Sequence, residues 1–254
     1  MVSGESQWTL DTRRLGKRVL VYDVLDSTNS VAASLAGDSS NDGLAILADC
    51  QTSGRGQHGR AWVSVPGAGV LLSLLLFPPS GLRRPALLNA WAAVSVCETI
   101  AEVAGLRAQI KWPNDVLING RKACGILIEQ AEATVVGIGL NVNQTAAELT
   151  DAQLLEAGSL HIAGKRSFNR DQVARSLIQR LDAEYHALCC GDIVGLEKRW
   201  RELLGLVGQS VHVKCHDAAY QGVLVELGFE GLVLQSASAT CDLAPEAVRQ
   251  ITAC

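Results

Sequence analysis

The sequence predicts an α+β protein: a sheet backed by helices, followed by a small all-β tail. Three observations lead there. Strand-length apolar runs and helix-period segments are interleaved, without an internal repeat, from Val19 to about Leu204. Within that stretch, residues 146–204 carry Leu149, Leu154, Leu177, Leu181, Leu188 and Leu196 at near-helical spacings, enough helix to cover one face of the preceding sheet. Beyond Leu206-Val207-Gly208 the pattern changes to short alternating runs broken by glycines. With 254 residues, 48% of them hydrophobic, the chain has ample core material. At roughly 150 residues per domain it divides into one large domain, 1–206, and a small partner, 207–254.

The elements follow in order. Val19–Leu25 is an apolar strand that ends in the polar run Asp26-Ser27-Thr28-Asn29. Residues 30–36 are alanine-rich and read as a short helix with Ser27 or Thr28 as N-cap. Residues 44–50 form a second strand, which runs into Thr52-Ser53-Gly54-Arg55-Gly56-Gln57-His58-Gly59-Arg60, closed by Trp62. Three glycines in six residues fit no helix or strand interior. The strand 70–77 precedes a long helix with Pro85 in its first turn and Leu87, Trp91, Val94 and Ile100 on one apolar face. Residues 110–115 are a strand end stopped by Pro113, 116–118 a short strand, Asn119-Gly120 a turn, and 124–129 a strand. Residues 134–142 are a strand containing Gly137, Gly139 and Asn141. In the tail, Val211 and Val213, Val223 and Val225, and Leu232 and Leu234 mark the alternation of an all-β unit close to the lower size limit for an independent core.

Charge and cysteines remove several classes. The formal charge of -4, from 22 Lys+Arg and 26 Asp+Glu, argues against a sequence-independent grip on nucleic acid. Eight cysteines occur without a C-x-x-C pair and read as small buried hydrophobes in a reducing compartment. His212, Cys215 and His216 come nearest to a metal site, but strand alternation puts Cys215 and His216 on opposite faces, so no metal site is expected. The first 18 residues are too polar for a signal peptide, and the apolar run 69–77 is far short of the roughly 20 residues that span a bilayer. A cytoplasmic protein is expected.

Three motifs carry chemistry. Backbone N–H groups of the Gly54 to Arg60 loop can converge on an anion, and its arginines can hold phosphate or carboxylate oxygens bidentately. Taken alone, the loop is more often a mobile surface segment whose arginines face water. In Lys111-Trp112-Pro113-Asn114-Asp115, a lysine at a strand end precedes a proline that fixes the backbone, which suits a cation facing a cleft; a solvated lysine before a turn accounts for it as well. In Gly137-Ile138-Gly139-Leu140-Asn141-Val142-Asn143, small residues in an apolar strand permit close approach of a ligand or another backbone, or mark a bulge.

Together with Asp26-Ser27-Thr28-Asn29, Gln51 and the segment from Arg121-Lys122 through Gly125 to Glu129, these motifs in this order make the chain resemble the biotin protein ligases, the biotin–[acetyl-CoA-carboxylase] ligase family. The resemblance implies a mixed, largely antiparallel catalytic sheet backed by helices, of the class II synthetase-like kind, and a small SH3-like β-barrel at the C-terminus. It also implies a two-step reaction. Biotin's carboxylate attacks the α-phosphate of ATP, with Mg2+ on the triphosphate, to give biotinyl-5′-AMP and pyrophosphate. A lysine of a biotin carboxyl carrier domain then takes the biotinyl group and releases AMP.

On this reading the catalytic residues are Arg55, Lys111 and Asp115, the last to orient or deprotonate the incoming amine. Ser27, Thr28, Asn29, Gln51, Gly54, Arg55, Gly56, Gln57, Lys111 and Gly125 bind biotin, the short polar side chains meeting its ureido ring. Arg55, Gln57, Arg60, Trp62, Lys111, Asn114, Lys122 and Asn141 bind ATP, with Trp62 against adenine and Asn141 on its edge. Where the family often has an arginine, this chain has Gln57, which removes a charge beside the acyl phosphate; the expected consequence falls on retention of the adenylate, not on its formation. Loss of Arg55 or Lys111 is accordingly expected to cost far more than Gln57→Ala.

About 20 residues precede Val19, too few for a helix-turn-helix, so a monofunctional ligase without operator binding is expected, as a monomer or a homodimer. Two other readings stay open: a lipoate or octanoate protein ligase of the same fold, and a non-catalytic biotin-binding module.

Overall fold

The computed structural model describes residues 3–236 and 239–254. The elements are β1 (Ser3–Trp8), β2 (Val19–Leu25), α1 (Thr28–Ser34), β3 (Ala45–Gln51), β4 (Gly69–Leu76), α2 (Pro85–Ala104), β5 (Gln109–Lys111), β6 (Asp115–Ile118), β7 (Arg121–Gln130) and β8 (Thr134–Asn141). Then come α3 (Ala146–Asp151), α4 (Leu160–Gly164), α5 (Arg170–Cys189), α6 (Ile193–Leu204), β9 (Ser210–Cys215), β10 (Ala219–Leu227), β11 (Leu232–Gln235), β12 (Thr240–Leu243) and β13 (Val248–Ala253).

The first eight strands form one sheet in the order β1-β2-β3-β4-β8-β7-β6-β5, antiparallel throughout the described pairs except β2 with β3. Parallel neighbours need a crossover, and α1 lies in that connection. β4 is central and buried along its whole length, and its alternation assigns the two faces. Val70, Leu72, Leu74 and Leu76, with Val136, Ile138 and Leu140 of β8, face the main core formed with α2 and α5. Ser73, Gly137 and Gly139 are offset by one residue from these and fall on the opposite face, beside α1.

α2 begins with Pro85 at its first turn, as read from the sequence, and ends at Gly105 in a left-handed conformation (φ 68°). Its 20 residues are long and apolar enough to cross a membrane, contrary to the expectation that no segment is, but they are mostly buried between the sheet and α5. The asparagine-glycine turn joins β6 to β7 with Asn119 (φ 50°) and Gly120 (φ 76°) both left-handed, the form that matches strand twist. α5 also holds the connection between β1 and β2, because the Asp182 carboxylate accepts the backbone N–H groups of Arg13, Arg14 and Leu15 at 2.7, 2.8 and 2.7 Å.

The tail strands form an antiparallel five-stranded sheet, β12-β11-β10-β9-β13. An aromatic seam joins it to the large sheet: the Trp112 ring lies 5.7 Å from Trp200 of α6, which lies 5.0 Å from Phe229. Trp112 Nε1–H donates to the Val248 carbonyl at 3.0 Å, and Glu197 accepts the Phe229 N–H at 2.7 Å.

Several expectations need correction. β1 occupies a segment read as merely polar. The first helix starts at Thr28, two residues earlier than the alanine run, and Ser27 caps it without a side-chain hydrogen bond. In β10 the valines at 223 and 225 are exposed and Leu224 between them faces inward, the opposite parity to that read from the sequence; a bulge between Leu224 and Glu226 then brings Leu227 inward in place of Glu226. Cys97, Cys124 and Cys215 are buried, and burial pushes the Cys97 thiol up to about 12 and that of Cys124 higher still, as expected of packing groups. Cys189, Cys190 and Cys254 are exposed, at the end of α5 and the end of the chain.

Candidate functional site

Two adjoining cavities open on the sheet face opposite α2 and α5. The inner one, open to solvent, spans about 470 Å³ and is lined at one end by Ser27, Thr28, Asn29 and Gln51. These residues meet because β2 ends beside β3, placing the start of α1 against the end of β3. Gln51 Oε1 accepts the Thr28 backbone N–H at 2.7 Å and lies 3.0 Å from Thr28 Oγ1. Ser73 Oγ, fully buried in β4, lies 2.7 Å from Thr28 Oγ1 and donates to Asn29 Oδ1 at 2.5 Å. Asn29 Nδ2–H donates to Glu129 Oε2 at 2.7 Å, and the same oxygen pairs with Arg55 at 3.0 Å. A connected polar network therefore spans β4, α1, β7 and the glycine-rich loop, with its orientation set from below.

The glycine-rich loop folds as a tongue. Gly56 N–H donates to Arg60 O at 2.7 Å, Trp62 N–H donates to Gly54 O at 2.9 Å, and Arg55 bridges Ala61. The tip turns through His58 (φ 56°) and Gly59 (φ 74°). Trp62, at its base, lies across the sheet, and the paired glycines of β7 and β8 leave room for it: Gly125 stands opposite Gly139 in register. A Cβ at 139 would lie 2.4 Å from the Trp62 ring, and one at 125 would lie 2.9 Å from it. A Cβ at 137 would lie 2.3 Å from Asn29 Oδ1. β8 keeps regular register with both neighbours, so the glycines mark no bulge; the close approach is by side chains of the chain itself.

The outer cavity, about 850 Å³, is bounded by Arg60, Lys111, Lys122 and Arg249, with Asp115 the one carboxylate among the described lining residues. Gly56, Gln57, Trp62, Asn114 and Lys122 line both cavities. Lys122 stands at the junction with its Nζ 2.6 Å from Asp115 Oδ1 and 5.8 Å from the centre of the Trp62 ring. Asn114 is buried and donates to Ile126 O at 2.6 Å.

The sequence-predicted residues thus separate into groups. Ser27, Thr28, Asn29, Gln51, Arg55, Gly56, Gln57 and Gly125 line the inner cavity, and Gly54 is buried behind it, where a Cβ would collide with Trp62 O at 2.4 Å. Arg60 and Asp115 line the outer cavity alone. Lys111, expected at both, is exposed and reaches only the outer one; it starts from the edge strand β5, away from Thr28 and Gln51. Asn141 reaches neither. Its carboxamide is spent within the protein, Nδ2–H donating to Gly158 O and Oδ1 accepting from Gln144 Nε2, each at 3.0 Å. Ser73, Glu129 and Arg249 were missed. Ser73 had a signal, as the lone hydroxyl inside the apolar run of β4; Arg249 had none.

Known proteins resemble this chain in sequence and in fold. Residues 21–143 match the model of the biotin/lipoate A/B protein ligase family. The bifunctional ligase/repressor BirA of Bacillus subtilis (strain 168) is 34% identical over 236 residues, covering 91% of this chain and 73% of the relative. The biotin–[acetyl-CoA-carboxylase] ligase of Mycobacterium tuberculosis is 35% identical over 176 residues, 63% of this chain and 62% of that one. Among solved structures, the biotin protein ligase from Aquifex aeolicus in complex with biotin and ATP superposes with a TM-score of 0.79 at 24% identity, over 93% of this chain and 99% of the other.

Proposed function

The chain belongs to the biotin/lipoate A/B protein ligase family, and from that membership we propose that it is a biotin protein ligase, which activates biotin with ATP and transfers it to a lysine of a biotin carboxyl carrier domain. The observation that carries this reading is the junction of the cavities at Lys122. A polar pocket suited to a neutral ureido ring opens into a cation-rich pocket suited to a triphosphate, and one ammonium stands where an acid from the first meets a phosphate from the second.

The chemistry follows from that placement. The Thr28, Asn29 and Gln51 network presents fixed donors and acceptors to biotin, so its ring need not leave polar atoms unpaired. Biotin's carboxylate oxygen bonds to the α-phosphorus as the bond to pyrophosphate breaks. Lys122 stabilises the charge on the non-bridging oxygens and lessens repulsion between the two anions. Asp115 holds the Lys122 ammonium at 2.6 Å and so fixes where it acts. Mg2+ bound to the triphosphate would supply further charge neutralisation, and Asp115, the one carboxylate among the described lining residues of the outer cavity, would be the side chain to hold it. In the second step the carrier lysine's nitrogen attacks the acyl carbon and AMP leaves. Residues 1–206 hold the inner cavity and the Lys122 junction, and 207–254 form the tail unit, which adds Arg249 and Gln250 to the wall of the outer cavity. ATP dependence and eight free cysteines fit the reducing cytoplasm.

The decisive experiment incubates the protein with ATP, labelled biotin and an apo carrier domain, with lipoate in a parallel arm. Biotin label on the carrier is expected. Label from lipoate alone, or bound biotin with an unlabelled carrier, would refute the proposal. The network under the inner pocket gives a second test. Gly137→Ala drives Asn29 from its place, and the expected result is a KM for biotin raised about tenfold with KM for ATP nearly unchanged, the worth of roughly one good hydrogen bond.

A further inference from the structure

Glu129 is not among the described residues that line either cavity, yet it holds two that line the inner one. It stands on β7 two residues beyond Leu127 of the cavity wall, and its Oε2 takes both the Asn29 carboxamide N–H and the Arg55 guanidinium. A carboxylate only accepts, and that fixes the hydrogens of every group behind it. Asn29 presents Nδ2–H to Glu129, which turns its Oδ1 toward Ser73 Oγ, 2.5 Å away. Oδ1 carries no hydrogen, so the Ser73 hydroxyl donates there. Ser73 Oγ then meets Thr28 Oγ1 at 2.7 Å with its own hydrogen spent, and the hydrogen of that contact is the one on the Thr28 hydroxyl. Thr28 Oγ1 is left with a bare lone pair 3.0 Å from Gln51 Oε1, which already accepts the Thr28 backbone N–H. Two acceptors of the cavity wall therefore face each other with no hydrogen between them.

We propose that Glu129 is a positioning residue that makes this end of the inner cavity a reader of ligand N–H groups: its carboxylate sets the direction of the hydrogen-bond chain through Asn29, Ser73 and Thr28, so that Thr28 Oγ1 and Gln51 Oε1 together accept one ring N–H. The inference rests on the ligase reading above and names what the site selects, a ring with N–H donors, such as a cyclic urea, over a ring without them, such as a dithiolane. An N–H set between the two oxygens replaces a lone-pair repulsion with hydrogen bonds, whereas a ring oxygen or sulfur adds a third acceptor. Glu129 acts without touching the ligand. Each hydroxyl of the chain has a single hydrogen, so the direction imposed at one end is passed to the other.

The test compares biotin with its two carbamate analogues, in which one or the other ring N–H is replaced by oxygen, by ATP-dependent pyrophosphate release. For the wild type, one analogue is expected to lose about 10²-fold or more in kcat/KM relative to biotin, because its oxygen meets two acceptors. In Glu129→Gln the new carboxamide can donate, Asn29 can turn over, and the hydroxyls of Ser73 and Thr28 can reverse. The loss on that analogue is then expected to shrink to about tenfold. Losing the ion pair to Arg55 lowers biotin and analogue alike and cancels in the ratio, as does any general loosening of the pocket. Ser73→Ala, which cuts the chain, shrinks the ratio in the same way, and Glu129→Asp, still a pure acceptor, keeps most of it. A wild-type ratio in Glu129→Gln overturns the proposal. So does a wild type that turns over both analogues as well as biotin. If the wild-type protein releases no pyrophosphate with biotin and ATP, the ligase reading fails and this inference falls with it; normal turnover of biotin beside an unaltered ratio in Glu129→Gln removes this inference alone.

Discussion

Lys122→Ala is expected to lower the rate of pyrophosphate release from biotin and ATP by about 10²–10³-fold, the usual cost of losing one preorganised charge at a developing anion. Lys111→Ala is expected to cost about tenfold or less, in KM for ATP, because an exposed cation at a cavity rim is screened. Placement makes the difference. Lys122 lines both cavities, its Nζ is fixed by Asp115, and its backbone is held on a second side by the Lys122 N–H to Glu156 O bond of 3.0 Å. Lys111 is exposed, forms no ion pair among the described residues and faces only the outer cavity. Gln57→Ala, which removes a neutral side chain, is expected to leave adenylate formation within about threefold. Steady-state pyrophosphate release for the three variants decides the matter; a larger loss for Lys111→Ala than for Lys122→Ala would return the central role to Lys111.

The second large effect is on stability. Asp182→Ala is expected to destabilise the fold by about 3 kcal/mol, since three backbone N–H groups, that of buried Leu15 among them, lose their shared acceptor at once. Asp182 is 5% exposed and Leu15 is fully buried, so water cannot replace the carboxylate without opening the contact. The bonds tie the connection between β1 and β2 to α5, and through α5 to the core beneath the site. For a chain of this size the melting temperature should fall by roughly 6–12 °C. Asp182→Asn, which keeps one acceptor oxygen, should lose less. Thermal unfolding followed by circular dichroism measures both, and a change of under about 2 °C for Asp182→Ala would refute the contact's importance.

Much of this molecule could be read from amino-acid order because its signals are local. Val19–Leu25 is a strand with the bounds its apolar run shows, Pro85 opens α2, and Asn119-Gly120 turns the chain between two strands, because side-chain period and turn geometry act within a few residues. The inner cavity was legible for the same reason. Short polar residues after one strand, Gln51 at the end of the next and a glycine-rich tongue needed only the pairing of β2 with β3 to converge.

The ranking of the cations was not legible, since Lys111 and Lys122 are alike in type and each stands at or next to the end of a strand. Strict alternation would turn Lys122 to the same face as Cys124 and Ile126, into the core. The bulge at Ala123, where Val116 pairs with Cys124 but Leu117 with Lys122, shifts it by one residue to the face of Gly125. Asn141 likewise has the chemistry of an adenine acceptor, and only the return of the chain at Gln144 and Gly158 consumes it. Arg249 lies in a tail whose docking depends on Trp112, Trp200 and Phe229 meeting across three separate segments. Residue order therefore set the elements, the family and the polar inner pocket. Which lysine lines both cavities, which asparagine is spent and which tail arginine reaches the outer one came from bulges and long-range packing, whose energies depend on partners distant in the chain.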